Sequence, residues 1–226
     1  MAGGTPAANT LILLTRRLLS YVSPEWIAVF SNLYHSLRHA LSPGAEQGMY
    51  EILDYDSTLD LKDIKGKTAV FERHQRVKFL QDHIIAFQDH AWGDGKIFAG
   101  YKISKGCAVD RYREGDRWNV LISLRETQSK GDIEDFYIER TVKNGFVQKE
   151  EWWQVEVWHR THRLRLNLLF PKRRHCKRAV LHTRGGNKSV VLDRQHFHSL
   201  PNGRQLLRWE ARNPRRAEIY TLRWQW

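Results

Sequence analysis

Polar and apolar positions change texture near Gly48. Before it, apolar residues recur every three or four positions. Leu11, Leu14, Leu18 and Leu19 mark one stripe over Thr10 to Tyr21, and Trp26, Val29, Phe30, Leu33, Leu37 and Leu41 mark a second. Ser23-Pro24-Glu25 reads as a cap, a first-turn proline and a dipole-compatible acid, and Ser42-Pro43-Gly44 as a stop. The pattern predicts a small, polar, disordered tail over 1–9 and an α-helical hairpin over 10–45, whose stripe must bury against its own body or a partner chain.

After Gly48 the period drops to two. Trp118, Val120, Ile122 and Leu124 alternate with polar neighbours, as do Trp153, Val155 and Val157, then Leu164, Leu166 and Leu168, then Tyr220, Leu222, Trp224 and Trp226. Met49–Tyr55, Ile84–Gln88, Phe136–Val142, Ala179–His182 and Val190–Leu192 add further strands, with Leu207 and Trp209 in another. Thr68 to Leu80 fits neither period cleanly. Asp63–Lys67, Trp92-Gly93-Asp94-Gly95, Lys143-Asn144-Gly145 and Arg184–Asn187 read as turns. Short strands at turn-punctuated spacing with one solvated face predict a mainly β chain: an antiparallel β-sandwich-like body over 46–226 with the helical hairpin packed on it. A subdivision of the body is placed near 143–149.

Charge divides differently from hydropathy. Between His159 and Trp226 there are seventeen Lys and Arg against three Asp and Glu, a net of +14 in a chain whose total is +12, so the preceding residues net −2. A basic third facing solvent on alternating strands suits an anionic macromolecule. The expected anion-binding residues are Arg160, Arg163, Arg165, Arg173, Arg174, Arg208, Arg212, Arg215, Arg216 and Arg223. Trp152 and Trp158 fall out of phase with the buried alternation and are the expected exposed aromatics, suited to stacking. The sequence holds no Cys2His2 spacing and no basic region with heptads, so binding by charge and shape is expected rather than base readout.

Two other constellations bear on chemistry. Asp82, His83, Asp89, His90 and Asp94 cluster in one segment and could serve acid–base or metal-assisted hydrolysis. His159, His162, His196 and His198 are the candidate metal ligands if the strands bring them together, although no HExxH or comparable motif is present and no cofactor is expected. Cys107 and Cys176 match no metal spacing and are expected as reduced thiols, and no apolar run approaches membrane-spanning length. The expectation is a cytoplasmic, non-catalytic binding or accessory module that docks nucleic acid or an acidic protein surface through its basic sheet face. The alternatives are a metal-dependent hydrolase or nuclease using the 82–94 segment, and a protein-interaction subunit of a larger complex that engages its partner through the N-terminal helices.

Overall fold

Alternation of inward and outward side chains builds nearly every element of the β body. The computed structural model describes residues 48–226; the predicted tail and helical hairpin lie outside the described residues. In chain order the strands are β1 (Tyr50–Leu61), β2 (Thr68–Phe79), β3 (Ile84–Ala91), β4 (Lys96–Ile103), β5 (Cys107–Glu114), β6 (Arg117–Gln128), β7 (Ile133–Lys143), β8 (Glu150–Glu156), β9 (Arg163–Phe170), β10 (Arg178–Thr183), β11 (Lys188–Leu192), β12 (Phe197–Ser199), β13 (Gln205–Arg212) and β14 (Ile219–Gln225). They form a seven-stranded sheet in the order β12-β13-β9-β1-β2-β7-β4, a four-stranded sheet β11-β10-β14-β8 and a three-stranded sheet β3-β6-β5. The chain is mainly β, as its alternation predicts.

One pairing departs from the antiparallel expectation. β9 lies parallel to β1, from Tyr55 opposite Leu164 to Asp60 opposite Leu169. Parallel neighbours need a long connection, and here it is everything from β2 to β8. The sequence between Tyr55 and Leu164 contains strands of all three sheets, so no local signal announces the pairing.

The inner face of the large sheet carries one side-chain set along its length. On β2 it is Ala69, Phe71, Arg73, Gln75, Val77 and Phe79, all buried. On β7 it is Phe136, Ile138, Arg140 and Val142. A bulge between Ile52 and Asp54 keeps Tyr50 and Ile52 on the same face of β1 as Leu59 and Leu61. The two ends of this face pack on different partners. Leu59, Leu61, Phe71 and Val142, with Leu164, Leu166, Leu168 and Leu207, meet Trp153, Val155, Leu181, Leu222 and Trp224 of the four-stranded sheet. Tyr50, Ile52, Val77, Phe79, Phe136 and Ile138 meet Ile84, Phe87, Val120 and Ile122 of the three-stranded sheet. Each fully buried leucine of these clusters contributes about 2 kcal/mol of apolar burial. Between the two clusters the inner face turns polar, at Arg73, Gln75 and Arg140.

Candidate functional site

The outward face of the large sheet is an ion-pair ladder. Asp54, Asp56 and Asp60 alternate along β1, and the parallel β9 sets Arg163 and Arg165 beside them. Arg163 grips Asp54 with two donors, Nε to Oδ1 at 2.9 Å and Nη2 to Oδ2. Arg165 donates through Nη1 to Asp56 Oδ2 at 2.7 Å and through Nη2 to Glu210 Oε2 at 3.0 Å. Arg204 pairs with Asp60, and Arg208 Nε donates to Asn167 Oδ1 at 2.9 Å. Arg212 is 4.0 Å from Glu210, and Arg160 is 3.7 Å from Glu51. Much of the positive charge here is locally compensated by acids that the linear count assigns to the front of the chain.

The other arginines lie elsewhere. Arg174, in the turn after β9, stacks 3.6 Å over the Trp226 ring and donates to the carbonyl oxygens of Ile64 and Gln148. Arg173 is exposed in the same turn, and Arg215 and Arg216 are exposed in the turn before β14, with Arg216 Nε donating to Trp158 O at 3.2 Å. Arg223 faces outward from the four-stranded sheet. The two sheets pack through their inner faces, so their outward faces point away from each other. The ten arginines therefore do not share one face. Period two placed those on strands toward solvent, but on opposite sides of the body.

Several basic residues of the basic third are exposed and unpaired among the described residues, and one group of them is contiguous on the surface of the four-stranded sheet. Lys172, Arg173, Lys177, Arg178 and Arg223 are exposed, and none is in an ion pair among the described residues. The turn after β9 leads directly into Arg178, which pairs in register with Gln225. Two residues on, Val180 sits opposite Arg223, and Arg223 sits opposite Trp152. Trp152 is 37% exposed and Val191, beyond Val180, is 57% exposed. Two guanidiniums, an indole and two valines thus share this face with His182, and Glu150 is the carboxylate among the residues around it.

The polar seam beneath the sheets is the second feature, and sequence reading missed most of it. Asp89 of β3 is 1% exposed, and its Oδ1 lies 2.8 Å from Arg73 Nη2. It also accepts from Tyr101 Oη at 3.2 Å and from the His90 backbone N–H at 2.9 Å. Burial alone would raise the Asp89 carboxyl, but the Arg73 and Arg140 guanidiniums and the Tyr101 hydroxyl hold it below the usual carboxylate range. Burial pushes the Arg140 guanidinium down. Arg140 lies 4.2 Å over the Phe71 ring and donates Nη1 to His90 O at 3.2 Å. Arg73 and Arg140 are each 7% exposed, and each has an Nε with no hydrogen-bond partner; Gln75 Oε1, 3% exposed at residue level, is also unpartnered. These three side chains border a cavity of about 120 Å³ whose remaining wall is largely aromatic.

The candidate hydrolytic residues separate. Asp89 and His90 enter the seam, while Asp82 and His83 are exposed in the turn before β3 and Asp94 in the turn after it. Asp82 accepts the Lys130 backbone N–H at 2.9 Å. A carboxylate held between two guanidiniums is a poor base and a poor metal ligand. Burial lowers the His90 pKa, and its Nδ1 is 2.7 Å from Asn119 Oδ1. The candidate metal ligands do not converge either. The His159 ring lies 4.1 Å from that of Tyr50, His162 Nε2 is 3.1 Å from Glu51 and His196 Nδ1 is 2.8 Å from Asp193, while His198 is exposed on β12. Among the described residues, no three His, Cys, Asp or Glu side chains gather as a metal site requires. Trp158 is 40% exposed and stacks on His90 at 5.1 Å, with Arg117 4.7 Å from its ring. Cys107 and Cys176 are both free, and no helix among the described residues is long and apolar enough to cross a membrane.

No family model matches the chain, and no curated protein is similar to it. Among solved structures, an M1 zinc metallopeptidase from Deinococcus radiodurans is similar at 10% identity over 78% of this chain and 42% of its own, with a TM-score of 0.45. A mutant of a two-domain M1 zinc metallopeptidase bound to L-tryptophan is similar at 11% identity over 78% of this chain and 43% of its own, with a TM-score of 0.47. The chain spans less than half the length of these peptidases. Likeness at this level decides neither fold nor activity.

Proposed function

We propose that this chain is a non-catalytic binding module that docks an anionic macromolecule through the turn Lys172–Lys177 and the adjoining outward face of the four-stranded sheet. The observation that carries this reading is the uncompensated charge of Lys172, Arg173, Lys177, Arg178 and Arg223, in contrast with the ion-paired arginines of the large sheet. Trp152 beside Arg223 favours nucleic acid over an acidic protein surface, because an exposed indole next to a guanidinium can stack an unpaired base while the charge meets its phosphate. Recognition of this kind follows backbone charge and stacking, with little base preference.

The experiment is binding of the full chain to fluorescent single-stranded oligonucleotides at low salt, beside duplex DNA and an acidic polypeptide. Saturable binding to the single strand that weakens steeply with added salt is expected. Preference for the acidic polypeptide would move the reading to a protein partner. No binding to any of the three at low salt, with no retention on heparin, would remove it.

A further inference from the structure

The seam cavity holds more buried positive charge than negative. Arg73 and Arg140 both border it at 7% exposure, and the one buried carboxylate they share is Asp89. The other ionisable groups of the wall do not change this balance. Glu156 is bound by Arg117 Nη2 at 2.7 Å. His90 and His159 are pushed down by burial, His159 to about 4, and are neutral near pH 7. One guanidinium charge is therefore uncompensated at a depth where an unpaired ion is costly. The same two side chains leave their Nε donors without acceptors. A guanidinium fork fits a planar carboxylate. The wall opposite is apolar and aromatic, with Tyr50, Phe71, Phe87 and Trp153, and exposed Gln88 and Trp158 mark its mouth. At about 120 Å³ it has room for about four waters, close to the roughly 150 Å³ that takes a single benzene ring.

We propose that this cavity is a binding site for a small organic monocarboxylate with an apolar, ring-sized body. The carboxylate takes the free Nε donors of Arg73 and Arg140 and supplies the missing negative charge. The body lies against the aromatic wall, and Gln75 Oε1 accepts from a hydroxyl or N–H of the ligand where there is one. The site is independent of the outward basic face, since it lies on the inner face of the large sheet and uses none of the same residues.

The test uses the full chain and a graded set of probes: acetate, phenylacetate, 3-phenylpropionate and indole-3-acetate, with phenylacetamide as the neutral match and chloride and inorganic phosphate at equal ionic strength. Tryptophan fluorescence reports binding, because Trp92, Trp153 and Trp158 border the cavity; a thermal melt is the second readout. At least one aryl carboxylate should give saturable quenching and a higher Tm, with phenylacetamide at least tenfold weaker. Arg140→Gln should weaken binding tenfold or more, whereas Arg76→Gln, on the outward face of β2, should leave it unchanged. The acid–amide comparison is made on the unaltered chain and needs no variant to fold. The proposal is overturned if no carboxylate of the set binds, if the amide binds as well as the acid, if Arg140→Gln binds undiminished, or if chloride or phosphate alone reproduces the response.

Discussion

Arg140 and Asp89 show what a buried charge costs when its neighbours are counted. Asp89 has Arg73 beside it and Arg140 within its field. Asp89→Asn keeps the shape and removes the one negative charge, leaving two guanidiniums buried together. Breaking a buried pair in this way costs about 3–5 kcal/mol, and urea denaturation of Asp89→Asn should show a loss of that order. Arg140→Met should act in the opposite sense. It removes the uncompensated charge and keeps an unbranched chain against Phe71, so the variant should be within about 1 kcal/mol of the parent or more stable. Parent-like stability in Asp89→Asn would mean that the seam is wetter than its burial implies. His159 supplies a pH signature at the same scale. Burial, with Arg216 and His90 adding repulsion, lowers its pKa from 6.5 to about 4. As pH falls, the unfolded chain takes up the proton first. Stability is complete above about pH 6.5, declines down to about pH 4 and then levels, with up to about 3 kcal/mol at stake. His159→Phe should flatten much of that slope in denaturation curves taken between pH 7 and 4.5. The remainder falls to His90, which is shifted in the same direction.

At the scale of elements, strands whose apolar alternation runs on were legible, and the least legible was the one whose inward face turns polar at two successive positions. β6, β8, β9 and β14 follow from their alternation. β2 did not, because Arg73 and Gln75 stand at the inward positions between Phe71 and Val77. The residues that blur its period are the ones that build the seam; β7 carries one inward Arg, Arg140, and was still read over Phe136–Val142 because Phe136, Ile138 and Val142 keep its period. Sequence pattern treats an inward Arg as an error, since its compensation comes from Asp89 and Tyr101 on other strands. The second half of β1 was missed for a related reason: its outward aspartates are answered by β9, more than a hundred positions away. β5 gave no signal because all eight of its residues are exposed. Turn chemistry was more legible. Asp63 Oδ1 and Oδ2 accept the backbone N–H groups of Lys65, Lys67 and Thr68, closing the β1–β2 turn. Gly66 within it has φ +66°, and a Cβ there would fall 1.5 Å from the Phe146 carbonyl oxygen. The turn thereby docks on the loop from β7 to β8, through Phe146 N–H donating to Gly66 O at 3.2 Å and Asn144 N–H to Lys67 O at 2.8 Å. Gly66→Ala cannot be relieved by a rotamer change. It should cost at least about 2 kcal/mol and appear as a lower denaturation midpoint.

At the scale of the whole molecule, the linear charge count overstates the basic face because folding redistributes it. The acids of β1 sit in the near-neutral front of the sequence, yet they pair with arginines of the basic third. Arg163 and Arg165 are therefore poor sites for a partner's phosphates, which would have to compete with Asp54, Asp56 and Glu210. Arg178 and Arg223 are in no ion pair among the described residues, and Glu150 is the one carboxylate lining the pocket they share. A charge-neutralising pair on each side separates the two surfaces. Arg178→Gln with Arg223→Gln should weaken binding to single-stranded oligonucleotide and lower the slope of log K against log salt by about 1.4, at about 0.7 for each phosphate left unneutralised. Arg163→Gln with Arg165→Gln removes the same formal charge from the chain but should leave the slope nearly unchanged, while costing stability through the orphaned aspartates. Trp152→Ala should reduce affinity by about 1–3 kcal/mol with no change in salt slope, because stacking releases no counterions. Equal salt slopes for the two double variants would mean that a partner feels net charge alone, and the division of the arginines between opposite faces would then have no bearing on binding.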